Sequence, residues 1–237
     1  MAVDEKEMPS RNARRGFVPE DARQFAGEEL EKLKRAAEDT RYLLNRGYAV
    51  KDATTFVGNH FCLSERQRMA LARSVSSDGD VEARIKKESA CREVHIDGFN
   101  TIITLEVALS HSPLLQCMDG TVRDLAGLRG TYRIIDETRT AVHLIFRELT
   151  GKAVEKAFFY LDSPVSNSGR LKTLIYEVAE EYSIETDVMV IPDVDRTLQK
   201  LSGVISSDAI ILNHCVSYMN IMPDIISRLE GIWLIRL

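Results

Sequence analysis

Four aspartates have the residue type and position for metal chemistry. Asp97, Asp162 and Asp195 follow short apolar runs, and Asp208 comes just before another. If these runs are parallel strands, their carboxyl ends meet at the edge where open α/β sheets bind ligands. Crowded carboxylates repel one another unless a cation offsets their charge, and Mg²⁺ and Mn²⁺ prefer oxygen ligands. The four aspartates are therefore the predicted metal ligands and catalytic residues, with Mg²⁺ or Mn²⁺ as the cofactor.

Aspartate also suits turns and helix N-caps, so a structural role for each of these residues stays open. Zinc is not favoured, because the five histidines show no metal-ligand spacing.

Basic and polar residues near the same strands could hold a phosphate backbone. They lie after the first strand, in a glycine-containing segment between the first two strands, and in a polar loop that opens a helix. The predicted substrate-binding residues are Asn100, Arg123, Arg129, Arg133, Ser166, Arg170 and Lys172. Two purely structural alternatives remain open: an ordinary ion pair between Arg123 and Asp124, and a capped helix start before Arg170.

The elements that must position these residues alternate between strand and helix. The predicted strands are Glu93–Ile96, Val154–Leu161, Asp187–Ile191, Ala209–Leu212 and Gly231–Leu237. The predicted helices between them are Thr101–Leu109, Gly169–Tyr182 and Val216–Leu229. Strands separated by helices predict an α/β domain over residues 91–237, with a mostly parallel sheet and flanking helices.

The N-terminal part has a different pattern. Residues 1–15 are predicted to form a polar tail, and residues 16–90 a helical domain. Its predicted helices are Pro19–Arg46, Val50–Val57 and Glu65–Val75, the last of them capped by Ser64. The arginines of the third helix suit either a solvated face or a nucleic-acid-facing helix.

Composition narrows the class of protein. Hydrophobic residues make up 44% of the 237 and charged residues 28%, and the net charge is −5. Such a balance gives no general attraction to nucleic acid or to anionic membranes, so any nucleic-acid binding needs a local basic face. No apolar run reaches the ~20 residues of a membrane span, and the first 15 residues do not resemble a secretory signal. These features predict a cytoplasmic protein with no membrane partner.

The segment Val94-His-Ile-Asp97-Gly-Phe-Asn100 resembles the first-strand signature of PIN-like and NYN-type nuclease domains. Asp162 is similar to their second acid, and Val194-Asp195-Arg-Thr-Leu198 resembles the Val-Asp-x-x-Leu segment of the NYN group. The resemblance implies a PIN-like, Rossmann-like fold and a metal-dependent nuclease. One departure is that NYN-type domains place a Ser-x-Asp-x-Asp run after the fourth strand. Here Asn213-His214-Cys215 follows the predicted fourth strand, which leaves open whether the metal site is complete.

The chain also resembles an uncharacterised prokaryotic family, domain-of-unknown-function family four hundred and thirty-four. The resemblance is carried by the Gly-Asn-His-Phe-x-Leu-Ser-x-x-Gln-Arg stretch at residues 58–68. It brings no established activity.

The leading hypothesis is therefore hydrolysis of RNA phosphodiester bonds by Mg²⁺ or Mn²⁺ at the aspartate cluster. The first alternative is a non-catalytic RNA- or DNA-binding protein on a degenerate PIN-like fold. The second is a small-molecule or nucleotide enzyme that uses the same crevice. RNA is the expected partner, and the sequence leaves a homodimer open.

Overall fold

The computed structural model describes residues 14–127 and 130–237. Most of the predicted polar tail, and Arg129 among the predicted substrate-binding residues, lie outside the described residues. In the part of the chain that is described, no helix is long and apolar enough to cross a membrane.

Helices make up the N-terminal part of the chain. They are α1 (Asp21–Gln24), α2 (Gly27–Asn45), α3 (Val50–His60), α4 (Glu65–Ser74) and α5 (Asp78–Ile85). The single helix predicted over Pro19–Arg46 is split in two, because Gly27 takes a positive φ of 52° and Phe25 turns into the core. The predicted Ser64 cap is confirmed, since its hydroxyl accepts from the Gln67 N–H and the Gln67 side chain accepts from the Ser64 N–H. Helix α5 was not predicted.

The described strands are β1 (Glu93–Asp97), β2 (Leu114–Gln116), β3 (Val122–Asp124), β4 (Lys156–Asp162), β5 (Glu185–Ile191), β6 (Val204–Ile205) and β7 (Leu234–Arg236). The helices among them are α6 (Gly98–Leu109), α7 (Asp136–Gly151), α8 (Ser168–Ala179), α9 (Val194–Leu198), α10 (Ala209–His214) and α11 (Met222–Ile226).

The main sheet has four parallel strands in the order β5-β4-β1-β6. The chain steps outward from β1 to β4 and β5, then returns to add β6 on the other side of β1. The loops after β1 and β6 therefore leave the sheet in opposite directions and open a crevice between them. The predicted α/β class with a mostly parallel sheet is confirmed.

Three predictions about the C-terminal third are wrong. Ala209–Leu212 belongs to helix α10 rather than to a strand, because Asp208 caps its first turn. The fourth strand of the main sheet is instead the short β6. The predicted last strand is shortened to β7 and lies in another sheet, and of the helix predicted over Val216–Leu229 only α11 forms.

The second sheet has the order β3-β2-β7, with β2 antiparallel to β3 and parallel to β7. Its apolar side chains share a core with the N-terminal helices, where Leu33 and Leu71 pack with Leu115, Leu125 and Ile235. The helices therefore rest on this second sheet, which lies between them and the main sheet's core helix α6.

The arginines of helix α4 form hydrogen bonds and an ion pair with other parts of the chain. Arg66 pairs with Asp21, and Arg68 donates to the Leu63 carbonyl oxygen. Arg73 donates to the Asp124 carbonyl oxygen at 2.8 Å. These contacts hold the helical part together and leave no row of free arginines on α4.

Candidate active site at the carboxyl edge of the main sheet

Asp97 lies at the carboxyl end of β1, where the strand order of the main sheet reverses. It is the last residue of β1 and caps helix α6, accepting from the Asn100 N–H at 3.4 Å. The Ser206 hydroxyl donates to its other carboxylate oxygen at 2.8 Å. Its side chain is buried, and this burial, with the nearby charges of Asp195 and Asp208, raises the pKa of Asp97 to about 7.

Asn100 fixes the turn that follows β6. Its side-chain oxygen accepts from both the N–H and the hydroxyl of Ser207, at 2.9 and 3.0 Å. The neighbouring Ser206 hydroxyl accepts from the Asp208 N–H at 3.1 Å. Asn100 was predicted to bind substrate, and in the structure its carbonyl group holds the Ser206–Asp208 turn against β1.

Asp208 comes directly after β6 and its turn, not before the fourth strand as the sequence predicted. It caps α10 by accepting from the Ile210 N–H at 2.8 Å, and its other oxygen accepts from Arg123 at 2.7 Å. Burial alone would raise the pKa of Asp208, but the Arg123 charge and the backbone N–H groups of α10 lower it overall. Asp208 is therefore an ionised carboxylate with a fixed counter-charge.

Asp162 and Asp195 complete the group from the neighbouring strands. Asp162 ends β4 and is half-buried, while Asp195 lies in the first turn of α9, after β5, with much of its side chain exposed. Partial loss of solvent contact is the largest cause that raises the pKa of each, and the charges of Asp208 and Asp162 raise the pKa of Asp195 further. Asp195 and Asp208 also contribute to the raised pKa of Asp97.

The group is not a closed metal cage. Within residues 14–127 and 130–237, no three histidine, cysteine, aspartate or glutamate side chains are arranged so that they could already hold a metal ion. Arg123, in β3, offsets one of the carboxylate charges. The hydrogen-bond donors to Asp97, the Ser206 hydroxyl and the Asn100 N–H, are neutral.

The predicted phosphate-binding residues lie in different settings. Arg123 is paired with Asp208 rather than with its neighbour Asp124. The Ser166 hydroxyl accepts from the Tyr132 N–H and donates to the Tyr132 carbonyl oxygen, so it joins two loops. Arg133 is exposed in the segment before α7.

Helix α8 carries two more of the predicted phosphate-binding residues. Arg170 is exposed in its first turn. The Lys172 ammonium lies 5.6 Å from the centre of the Tyr176 ring, and its charge lowers the pKa of Asp187. These two cations are available at the surface, but Lys172 leans toward the middle of β5.

Ser206 and Ser207 are the site residues that sequence reasoning missed. Their signal is a pair of serines before Asp208, directly after the short apolar pair Val204-Ile205. This pattern is weak, because the longer apolar run Ala209–Leu212 next to it is the better match to a strand.

The fold defines the class: an α/β protein whose main sheet has four parallel strands. The chain belongs to the family described as "Domain of unknown function (DUF5616)", whose model matches residues 69–224. A second model, described as "Protein of unknown function (DUF434)", matches residues 32–87. The predicted resemblance to this second family is thus confirmed for the helical part, which includes the stretch at 58–68.

A relative from Methanocaldococcus jannaschii, described as an uncharacterized protein, is 33% identical over 185 residues. The match covers 76% of this chain and 88% of the relative. No solved structure matches the chain.

Proposed function

We propose that this protein is a Mg²⁺- or Mn²⁺-dependent ribonuclease that hydrolyses phosphodiester bonds at the carboxyl edge of the main sheet. The observation that supports the proposal is the position of Asp97, Asp162 and Asp208 at or just after the ends of three parallel strands, with the charges of Asp195 and Asp208 contributing to the raised pKa of Asp97. Open α/β sheets bind their ligands at this point. Uncompensated carboxylates there favour a cation as the ligand that relieves their repulsion.

The donor chemistry fits a hard divalent ion. All four candidate ligands are carboxylates, which Mg²⁺ and Mn²⁺ prefer, and neither soft nor imidazole ligands contribute. Asp97, Asp162 and Asp195 would hold the ion, with Asp208 in support through its fixed position beside Arg123. A bound ion of this kind activates water and stabilises charge on a phosphoryl group.

The chain's own residues would then position the substrate. Arg123 is paired with Asp208 and would act by holding that carboxylate in place. Arg170 and Lys172, together with Arg133, would contact the backbone farther out. Ser206 and Asn100 hold the Asp97 and Asp208 carboxylates in place relative to each other. Phosphodiester hydrolysis needs such fixed positions, because the reacting groups must be aligned.

The strand order supports the PIN-like interpretation of residues 91–237. Ser206-Ser207-Asp208 follows the fourth parallel strand, which is where the resemblance to NYN-type domains expects a Ser-x-Asp-x-Asp run. The first half of that run is present, but Ile210 stands in place of the second aspartate, so the departure is smaller than Asn213-His214-Cys215 suggested and is not removed.

A decisive test is cleavage of labelled single-stranded RNA by the wild type and by Asp97→Asn, with Mn²⁺ and with EDTA. Asparagine keeps the shape of the cap but removes the charge, so we expect cleavage to fall on the order of 10²–10³-fold. Asp187→Asn is the matched control, since Asp187 lies on β5 away from the crevice and should leave cleavage unchanged. RNA cleavage that continues at the wild-type rate in EDTA or in Asp97→Asn would refute the proposal.

The second candidate, a non-catalytic RNA- or DNA-binding protein, is favoured by one observation. The described residues hold no ready three-ligand metal group, and Arg123 already offsets Asp208. Salt-sensitive RNA binding without metal-dependent cleavage would support this candidate. Replacing both Arg170 and Lys172 with alanine should then lower the log–log salt slope of binding by about one to two.

A further inference from the structure

A cavity of about 410 Å³ adjoins the aspartate cluster on the side of the helical part. It lies between the α2–α3 turn, the end of α4, helix α5 and the start of α10. Asp208 and Arg123 line it, so the cavity and the crevice share a wall. Its volume is in the range of roughly 300–1,000 Å³ that is usual for small-molecule sites.

Apolar and aromatic surface is exposed around this cavity. Tyr48 is 57% exposed, Val50 is 43% exposed and Ile210 is 61% exposed, although all three are large hydrophobic residues. Exposed side chains of this kind around a concave site are typical of ligand-binding surfaces. Tyr48 offers a ring on which a planar group can stack.

The arginines of the cavity are already engaged, and Asp80, which accepts from the Ser77 hydroxyl, adds a negative charge to the lining. Arg84 pairs with Asp119 at 2.8 Å and donates to the Asn213 side chain at 2.6 Å. Arg123 pairs with Asp208, and Arg73 donates to the Asp124 backbone. The cavity therefore presents little free positive charge, which disfavours a phosphate group as its occupant and favours a neutral planar one.

A nucleobase has the required chemistry. It has two apolar faces for stacking and a polar edge for hydrogen bonds. The cavity offers the Asn213 side-chain NH₂ group and the Ser76 hydroxyl hydrogen as donors, since the oxygens of both side chains already accept from Arg84. We propose that this Tyr48 cavity holds one unstacked base of a single-stranded RNA, while a neighbouring phosphodiester lies at the aspartates. The inference rests on the proposed function for its substrate and adds the substrate class: single strands rather than duplex.

The test is binding of a fluorescent single-stranded RNA oligonucleotide to the full chain in EDTA, measured by anisotropy. Removal of a stacking ring typically weakens binding by about five- to a hundredfold, which we expect for Tyr48→Ala. Tyr48→Phe keeps the ring and should bind within about twofold of the wild type. Tyr42→Ala is the matched control, because Tyr42 is 58% exposed but lies outside the cavity under Arg46.

An oligonucleotide of the same length with abasic positions sharpens the assignment. It should bind the wild type as weakly as the intact strand binds Tyr48→Ala, with no further loss in the variant. Equal binding of intact RNA by Tyr48→Ala and Tyr42→Ala would overturn the inference, as would equal weakening for single-stranded and duplex RNA. The binding assay contains EDTA, so its result does not depend on metal-dependent cleavage. If binding depends on Tyr48 but the separate assay finds no Mn²⁺-dependent cleavage, the nuclease proposal is rejected and the base site is supported.

Discussion

Two buried carboxylates at helix α6 have different electrostatic surroundings. Asp97 caps its N-terminus and Glu106 lies in its third turn, fully buried. Glu106 accepts from the hydroxyls of Tyr132 and Thr138 and forms an ion pair with Arg15 at 2.9 Å. Asp97 receives only neutral donors, and its charged neighbours are other carboxylates.

The difference teaches which of the two groups is structural. Arg15 also lies over the Tyr132 ring, 4.9 Å from its centre, so the Glu106 network ties the start of the described chain to α6 and to the segment before α7. Its carboxylate has its counter-charge within the protein. Asp97 has no positively charged hydrogen-bond donor, so burial favours its neutral form.

The largest effect should come from Glu106→Ala. The substitution leaves the Arg15 charge and the Tyr132 hydroxyl without their partner in a buried setting, which we expect to cost about 3 kcal/mol of unfolding free energy. Denaturant unfolding at pH 7 measures it. Glu106→Gln removes the ion pair but keeps an acceptor for both hydroxyls, so it should cost less. An equal loss in the two variants would mean that the ion pair alone carries the stabilisation, and a Gln variant as stable as the wild type would mean that the ion pair contributes nothing.

Asp97→Asn should instead stabilise the metal-free protein at high pH. Because the pKa of Asp97 is raised to about 7, its contribution to stability is present below pH 4 and is lost as the pH rises through 7. The variant should therefore gain on the order of 2 kcal/mol over the wild type at pH 8, and lose that advantage at pH 4, given 1.36 kcal/mol per pKa unit and some relaxation around the charge.

Unfolding curves of both proteins at pH 4, 6 and 8, in EDTA, measure this difference. A constant difference across the three pH values would contradict the raised pKa. Added Mn²⁺ should stabilise the wild type and not the variant, which separates a metal ligand from a buried acid that has no ligand.

The smallest effect in the comparison concerns Ser206→Ala. This change removes the hydroxyl that donates to Asp97 at 2.8 Å and should cost about 1 kcal/mol, mostly at high pH where the carboxylate is charged. It should also move the midpoint of the pH dependence upward. Thr138→Val is the counterpart in the Glu106 network, and there the midpoint set by Asp97 should not move.

The sequence predicted the strands that lead to Asp97 and Asp162, because each carries buried apolar residues: Val94 and Ile96 in the first, and Ala157, Phe159 and Leu161 in the second. It could not predict the fourth strand, since Val204–Ile205 is shorter than any usual strand signal. The apolar run at Ala209–Leu212 suits a strand or a buried helix equally, and only the Asp208 cap decides between them.

The sequence did not predict the ion pairs of the site either. Arg123 and Asp208 are 85 positions apart in the chain, and Arg15 reaches Glu106 from a segment whose composition is polar throughout. Such contacts depend on the packing of the second sheet against α6, which no local pattern encodes. The aspartates were therefore predictable as a set, whereas the residues that neutralise or orient them were not.

The placement of β7 has a consequence for the order of folding. The main sheet is complete once residues 93–205 are available, but the core under the N-terminal helices also needs Ile235, which comes much later. During synthesis on the ribosome, the core under the N-terminal helices therefore cannot be completed until Ile235 has been made. Until then, the edge of β2 that pairs with β7 stays unpaired. Pulse-labelled hydrogen exchange during refolding should find β1 and β4 protected before β2, with aggregation most pronounced in that interval.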